Sequence, residues 1–341
     1  MRIARAAHLL GAAVIAATVC AGSALAEDFY AGKTLKIVVG SAAGGGYDGA
    51  ARLASRHMAG FLPGNPRIVV QNMPGASGVK ATNYLYTIAE KDGTTIAVFN
   101  SAMPYYEALG QLGIQFKSRE LSWIGAMTQV ANVVVVWHTT GVKTLDEVKS
   151  REIIMGALTD GGTMGGYPLL LNYALGTKFK VVPGYHSGTE VNLAMERGEV
   201  QGRGSNPWTS WKSTHMDWIQ QKKIVPLVQI GLKKDADLPD VPLLVDLAQN
   251  EDQRKLFEFV SAPTGMERPF AAPPGIPKER LAELRSAFDR MVKSEAFLED
   301  ARKTNTDIDP LSGPELEQVV ARLMATPPNV LEQVRVATGE K

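Results

Sequence analysis

Leu35-Lys36-Ile37-Val38-Val39-Gly40, followed by Ser41-Ala42-Ala43-Gly44-Gly45-Gly46-Tyr47-Asp48, decides how this chain folds. The first half is a short apolar run closed by glycine, which reads as a buried strand. The second half is too rich in glycine for regular structure. It hands over to a helix across Asp48–Phe61, where Ala51, Leu53, Ala54, Met58 and Phe61 form one apolar face. A glycine-rich turn between strand and helix leaves bare backbone N–H groups at the helix start, where the dipole favours an anion. The turn also has a plainer reading, a tight strand-to-helix connection with no ligand.

Outward from this unit the pattern repeats. Pro63-Gly64-Asn65-Pro66 stops the helix, Ile68–Val70 is a second strand, Gly75–Ile88 a second helix, and Asp92-Gly93 turns into a strand at Thr95–Phe99. Such a β-α-β-α-β series implies a parallel sheet covered on both faces. A second series follows Trp123-Ile124-Gly125. Its strands are Val133–Trp137, Ile153–Met155, Phe179–Val182 and Val200–Arg203. Its helices are a short one opened by the capping-box pattern Thr144-Leu145-Asp146-Glu147, then Tyr167–Leu175 with Pro168 in its first turn, and Thr189–Arg197. Ile224–Ile230 reads as a strand running back, and helices at Pro277–Lys293, Ser294–Lys303 and Pro314–Ala325 finish the chain. Two α/β series joined by one strand out and one strand back describe a lobe inserted into another lobe, with a cleft and a hinge. The expected lobes are residues 27–130 with 227–341, and residues 131–226.

At 341 residues, and roughly 100–200 residues per domain, two domains are expected. Apolar residues at 45% and charged residues at 21% exclude a disordered or collagenous chain. A net charge of +1 provides no basic field for nucleic acid. Arg2 and Arg5, the apolar stretch Leu9–Val19 and Ala24-Leu25-Ala26 form a signal-peptide pattern, predicting export to the periplasm with cleavage after Ala26. Lipidation at Cys20 is the rival, but Ala17-Thr18-Val19 puts a β-branched residue where a lipobox carries a small one. Cleavage removes Cys20, the one cysteine, so disulfides and Cys-based sites are excluded from the mature chain.

Gly44-x-Gly46-x-x-Gly49 formally satisfies a dinucleotide fingerprint, yet the second strand ends in Gln71-Asn72 without the acid that would hold a ribose. No P-loop occurs, no Gly-x-Ser-x-Gly elbow, and no His-x-x-x-His pair among five scattered histidines. Neither a cofactor, a metal nor an enzymatic activity is expected. Leu158-Thr159-Asp160-Gly161-Gly162-Thr163-Met164-Gly165-Gly166 matches the first turn in its place between strand and helix, and Pro183-Gly184-Tyr185-His186-Ser187-Gly188-Thr189 recurs one unit later. Turns of this kind gather at the carboxyl ends of parallel strands. Two of them facing each other across a hinge would clamp a small acid.

The ordered set Gly32-Lys33-Thr34-Leu35-Lys36-Ile37-Val38-Val39-Gly40, Ala43–Asp48 with Ala51-Arg52, Gln71-Asn72-Met73-Pro74-Gly75-Ala76-Ser77-Gly78, Asp92-Gly93-Thr94-Thr95, Val182-Pro183-Gly184-Tyr185, Glu196-Arg197-Gly198-Glu199-Val200, Leu238-Pro239-Asp240-Val241-Pro242 and Ala272-Pro273-Pro274-Gly275-Ile276-Pro277 resembles the substrate-binding proteins of tripartite tricarboxylate transporters, the TctC or Bug family. The resemblance implies a two-lobed periplasmic-binding-protein fold, type II-like, each lobe a mainly parallel sheet flanked by helices, with two hinge crossover strands. It implies a monomeric receptor that delivers a small organic carboxylate to membrane permease subunits. The alternative is a sensory protein presenting the ligand to a membrane histidine kinase. The ligand contacts it implies are Ala43, Gly44, Gly45, Gly46, Tyr47, Asp48 and Ser101 in the first lobe, with Thr159, Asp160, Gly161, Gly162, Thr163, Tyr185 and His186 in the second. Tyr47 stands where many members carry Thr or Ser, and Thr159–Thr163 replaces a Gly-Ser-Gly type of run.

Several of these residues have two readings. Asp48 either holds a ligand donor or complements its own helix and pairs with Arg52. His186 is a cleft donor or an ordinary loop histidine. Arg203 binds a second carboxylate or forms a surface ion pair. Tyr105 lines the cleft or packs in the core, and Trp208, Trp211 and Trp218 read as core packing.

Overall fold

In the computed structural model, residues 28–158 and 162–338 are described. The expected signal peptide, and Thr159, Asp160 and Gly161, lie outside them. The first sheet begins with β1 (Thr34–Val39), α1 (Gly46–His57), β2 (Arg67–Asn72), α2 (Val79–Thr87), β3 (Thr95–Val98), α3 (Met103–Ala108) and β4 (Ser122–Thr128). The second is built from β5 (Asn132–Trp137), β6 (Ile153–Leu158), α4 (Gly162–Leu175), β7 (Phe179–Tyr185), α5 (Gly188–Glu196), β8 (Gly202–Arg203), α6 (Trp208–Thr214), α7 (Met216–Gln220) and β9 (Ile224–Ile230). The chain ends with α8 (Glu251–Ser261), β10 (Glu267–Ala272), α9 (Lys278–Met291), α10 (Glu295–Lys303), β11 (Leu311–Ser312), α11 (Gly313–Leu323) and α12 (Pro328–Thr338).

Strand order is β11-β4-β10-β3-β1-β2 in the six-stranded sheet and β7-β6-β8-β5-β9 in the five-stranded one. The parallel pairing that the β-α-β pattern implies holds for β1 with β2 and β3, and for β6 with β7 and β8. The strands that travel between the sheets pair antiparallel: β5 with β9, with Asn132 opposite Ile230 and Trp137 opposite Ile224, and β10 with β3 and β4. A chain that leaves a sheet and returns comes back with reversed direction, so each sheet is a parallel unit extended by antiparallel hinge strands.

Burial follows the sequence pattern. All of β3 and Val133–Val136 of β5 are shielded on both faces, which is why they read as continuous apolar runs. Trp123 packs edge-on to Phe99 at 5.8 Å and donates its indole N–H to Ser118 at 2.8 Å. Trp208, Trp211 and Trp218 are buried in the core of the second sheet. One apolar cluster runs from Phe99 and Trp123 through Val134 and Leu171 to Val330 and Val334 of α12, and α12 packs on α4 and α8. The last helix therefore braces the second sheet. Among the described residues no helix is long and apolar enough to cross a membrane.

Helices α3, α8 and α12 form where the sequence reading placed none, and two other segments depart from expectation. α4 begins at Gly162, so Pro168 sits in its interior, not in its first turn. Asp146–Lys149 is a single 3-10 turn, with Glu147 accepting from the Lys143 amide at 3.1 Å and the Thr144 hydroxyl at 3.3 Å.

Candidate functional site

The first glycine-rich turn is held by its own acid. Asp48 is 3% exposed and accepts from the Gly44 amide at 2.8 Å, Arg52 Nε at 2.9 Å and Asn72 Nδ2 at 2.9 Å. Asn72 also donates to the Ser41 carbonyl at 3.0 Å, so the residue standing where a ribose-binding acid would be is spent on closing the turn. Gly44 takes φ +84°, a backbone region that glycine enters without strain. Ala43, Gly44, Gly45 and Gly46 are exposed, and Gly45 caps α1 with no side-chain bond. What remains free for a ligand at this turn is backbone; the carboxylate of Asp48 is engaged with the chain.

The Arg52 hydrogen bond is the main cause of an Asp48 pKa held down at about 2, with the Gly44 amide and Asn72 adding to it. A carboxyl whose folded pKa is depressed contributes stability above its unfolded value near 3.9 and loses it as pH falls towards about 2. Asp48 is shut from water but lies close to the surface, so screening reduces the contribution to on the order of 1–2 kcal/mol. Asp48→Asn is therefore expected to lower unfolding free energy by that amount at pH 7. Urea titrations across pH 5 to 2 should show wild type and variant converging as pH falls; a gap independent of pH would contradict the assignment.

Beside the turn, Tyr47 and Ser101 meet an acid that the sequence reading did not single out. Ser101 Oγ donates to Glu267 Oε1 at 2.7 Å. The Tyr47 hydroxyl lies 3.4 Å from Glu267 Oε2, from Asn100 Oδ1 and from the Ser101 amide. Burial pushes the Glu267 carboxyl up, and burial beside that carboxyl pushes the Tyr47 phenol up. Nothing local in the sequence links Glu267 to this place, since Tyr47 is 220 and Ser101 166 positions away. The one available signal is its position at the entry to β10, five residues before the Ala272-Pro273-Pro274-Gly275 motif.

In the second sheet, Gly162 opens α4 with φ +48° and Thr163 Oγ1 lies 3.1 Å from Ser205 Oγ. Arg203 donates from Nε to the Ser205 carbonyl at 3.1 Å, from one terminal nitrogen to Gly188 O at 3.4 Å and Asn192 Oδ1 at 3.0 Å, and from the other to Asn206 Oδ1 at 3.0 Å. These four partners are neutral oxygens. Burial pushes the guanidinium pKa down to about 10, which still leaves it charged at neutral pH. Arg203 is thus neither a surface ion pair nor an exposed arm but a clamp between α5 and the β8–α6 connection. His186 has an exposed side chain, and its amide donates to Glu190 at 2.9 Å. Ser187 accepts from the Glu190 amide at 3.2 Å, so the start of α5 is closed by its own side chains. The Ser187-Gly188-Thr189-Glu190 pattern is a capping signature readable in the sequence. Tyr185 is half-buried at the end of β7.

A cavity of about 590 Å³ opens between the two sheets. Ser77, Ala102, Tyr105 and Tyr106 form its first-sheet wall, Gly162, Thr163, Gly166 and Tyr167 its second-sheet wall, and Arg335 of α12 borders it. Tyr105 both lines this space and stacks on Phe259 at 4.9 Å. The volume is that of a small-molecule site. The first turn of α4 carries no acidic residue and faces this cavity, whereas α1 has Asp48 and α5 has Glu190 in their first turns. The structure thus gathers Gly162 and Thr163 at the cavity, Tyr47 and Ser101 around Glu267 nearby, and leaves His186 at the surface. Among the described residues no group of three or more His, Cys, Asp or Glu could hold a metal ion.

A family model described as the tripartite tricarboxylate transporter family receptor, TctC, matches residues 51–334. A protein of Agrobacterium vitis, described as the UPF0065 protein in the TAR-I ttuE-ttuC' intergenic region, is 28% identical over 179 residues, 50% of this chain and 51% of that one. The match thus spans about half the length of that relative. Among solved structures, a TctC solute-binding protein from Polaromonas superposes with a TM-score of 0.69 at 16% identity, covering 90% of this chain and 99% of that one. A Rhodopseudomonas palustris protein with adipate gives 0.60 at 18% identity over 90% and 97% of the two chains. MatC of the same organism, with bound malate, gives 0.57 at 20% identity over 89% and 99%. At these identities the likeness is one of fold, and the two-sheet α/β architecture is the two-lobe fold of those solute-binding proteins.

Proposed function

This chain belongs to the tripartite tricarboxylate transporter receptor family, and on that premise we propose that it is a periplasmic receptor which captures a small organic carboxylate between its lobes and hands it to membrane permease subunits. The observation that carries the reading is the cavity between the Ser77–Tyr106 wall and the start of α4, where Gly162 and Thr163, in a first helical turn that carries no acidic residue, line the space. The lobes are assigned as 27–130 with 227–341 and 131–226, hinged on β4–β5 and β9. Solved relatives of the same fold hold adipate and malate, which supports an acid as cargo here. Signal-peptide cleavage after Ala26, a monomeric state and release of the ligand unchanged belong to the same proposal.

Magnitudes suit the role. A charge-assisted hydrogen bond contributes about 1.5–3 kcal/mol and a partly buried helix terminus up to about 2 kcal/mol. Four or five such contacts outweigh the freedom an acid loses and leave roughly −8 kcal/mol, a micromolar affinity. Thermal unfolding of the purified protein with mono-, di- and tricarboxylates at about a hundred times Kd is expected to show stabilisation near 2.7 kcal/mol, a rise of at least about 2 °C. A melting point unmoved by every acid would overturn the reading.

A further inference from the structure

We infer that Glu267 selects among acids: the receptor prefers a carboxylate whose carbon chain bears a hydrogen-bond donor, an ammonium or hydroxyl group, over the unsubstituted acid of equal length. The inference rests on the receptor reading and deepens it. An anion receptor gains nothing from a carboxylate at its cleft, since a like charge repels the cargo. Yet Glu267 stands at the carboxyl end of β3, between Tyr47 and Ser101, and keeps part of its surface open although protein encloses it on most sides. That combination is what a side chain on a cleft floor shows.

Its bonding is uneven. Oε1 receives a short hydrogen bond from Ser101, whereas Oε2 faces a Tyr47 hydroxyl at 3.4 Å that is equally far from Asn100 and from the Ser101 amide. One phenolic proton cannot serve both oxygen acceptors, so Oε2 retains capacity for a donor. Among the described residues Glu267 is ion-paired with no cation; Arg268, its chain neighbour, acts on it through its charge and its backbone amide. A buried acid without a counter-ion is costly unless something supplies one. The place adjoins the ligand cavity: Tyr167 lines that cavity, and burial, with the Glu267 charge adding to it, pushes its phenol up, while its side chain is hydrogen-bonded with Asn132. An acid lying with its carboxylate at the start of α4 and a donor towards Glu267 would complete both sites.

Matched sets test this by calorimetry at pH 7.5: succinate against aspartate and malate, and glutarate against glutamate and 2-hydroxyglutarate. Wild type is expected to bind at least one donor-bearing member about tenfold or more tighter than its plain counterpart. Glu267→Gln should bring that ratio to within about twofold while plain-acid affinity holds or improves. Glu267→Asp, which keeps the charge, should retain a preference and serves if the glutamine variant does not fold. A wild-type ratio near one, or a ratio that Glu267→Gln leaves intact, makes Glu267 a strut between β10 and the β3–α3 turn and overturns the inference. Binding of plain acids with no preference counts against this inference alone; binding of no acid at all removes the receptor reading as well.

Discussion

Arg203→Ala is expected to destabilise the protein by about 3 kcal/mol and to weaken carboxylate binding by roughly a hundredfold or more. Two effects oppose each other at this position. Removing a largely buried guanidinium relieves desolvation, the force that lowers its pKa. Against that, the Gly188 and Ser205 carbonyls and the Asn192 and Asn206 amide oxygens lose their donor together, and the side chain leaves a space beside Trp211, whose ring lies 5.3 Å from the guanidinium. Unmade hydrogen bonds of this kind cost about 1–3 kcal/mol each where water cannot replace them, so the loss of several outweighs the relief. Binding falls because Ser205, which Arg203 holds through its carbonyl, is the residue that meets Thr163 at the start of α4. Urea unfolding and calorimetric titration measure the two effects separately. A variant within about 0.5 kcal/mol of wild type with unaltered affinity would show that Arg203 does not organise the loops.

Alternation of apolar runs with amphipathic segments made the first β-α-β-α-β unit and both hinge strands legible, because β1, β3 and β5 are buried on both faces and carry that burial in their composition. The start of α4 was not legible. Gly162-Thr163-Met164-Gly165-Gly166 has poor helix propensity, yet α4 runs through it, with Gly165 packed beside Ala157 and Val181. The sequence reading also ends its last helix at Ala325, while α12 starts on Pro328, proline being tolerated where the helix has no N–H to donate. In the site, the turns announced themselves through glycine; Arg203 stood out as a residue but not in its role, and Glu267 did not stand out at all. Their roles depend on partners brought close by topology: Gly188 and Asn192 for one, Tyr47 and Ser101 for the other. Asp48 is the intermediate case, since its pairing with Arg52 follows from helical spacing and its hold on Gly44 and Asn72 does not.

Gly204→Ala should prove as damaging as the loss of Arg203, for a steric reason. Pro168, inside α4, has no N–H to give the carbonyl of Met164 four residues earlier, so that carbonyl is left without its helical donor. The backbone of Gly204 closes over it. A Cβ at Gly204 would collide with the Met164 oxygen and with Pro168 Cγ, and would stand 2.5 Å from Pro168 Cδ. None of these atoms is the free end of a flexible side chain, so either the β8–α6 connection or the first turn of α4 must move. Overpacking of this type costs about 1–3 kcal/mol, and rigid neighbours on both sides place this case at the upper end. The displaced turn is the one that presents Gly162 and Thr163 to the cavity, so affinity for the acid should drop by roughly tenfold or more. Gly60→Ala serves as the control, because a Cβ there meets no atom within 4 Å and Gly60 does not line the cavity. Equal stability and equal affinity in the two variants would mean that α4 and β8 can part without consequence, and that the cavity wall is not set by their contact.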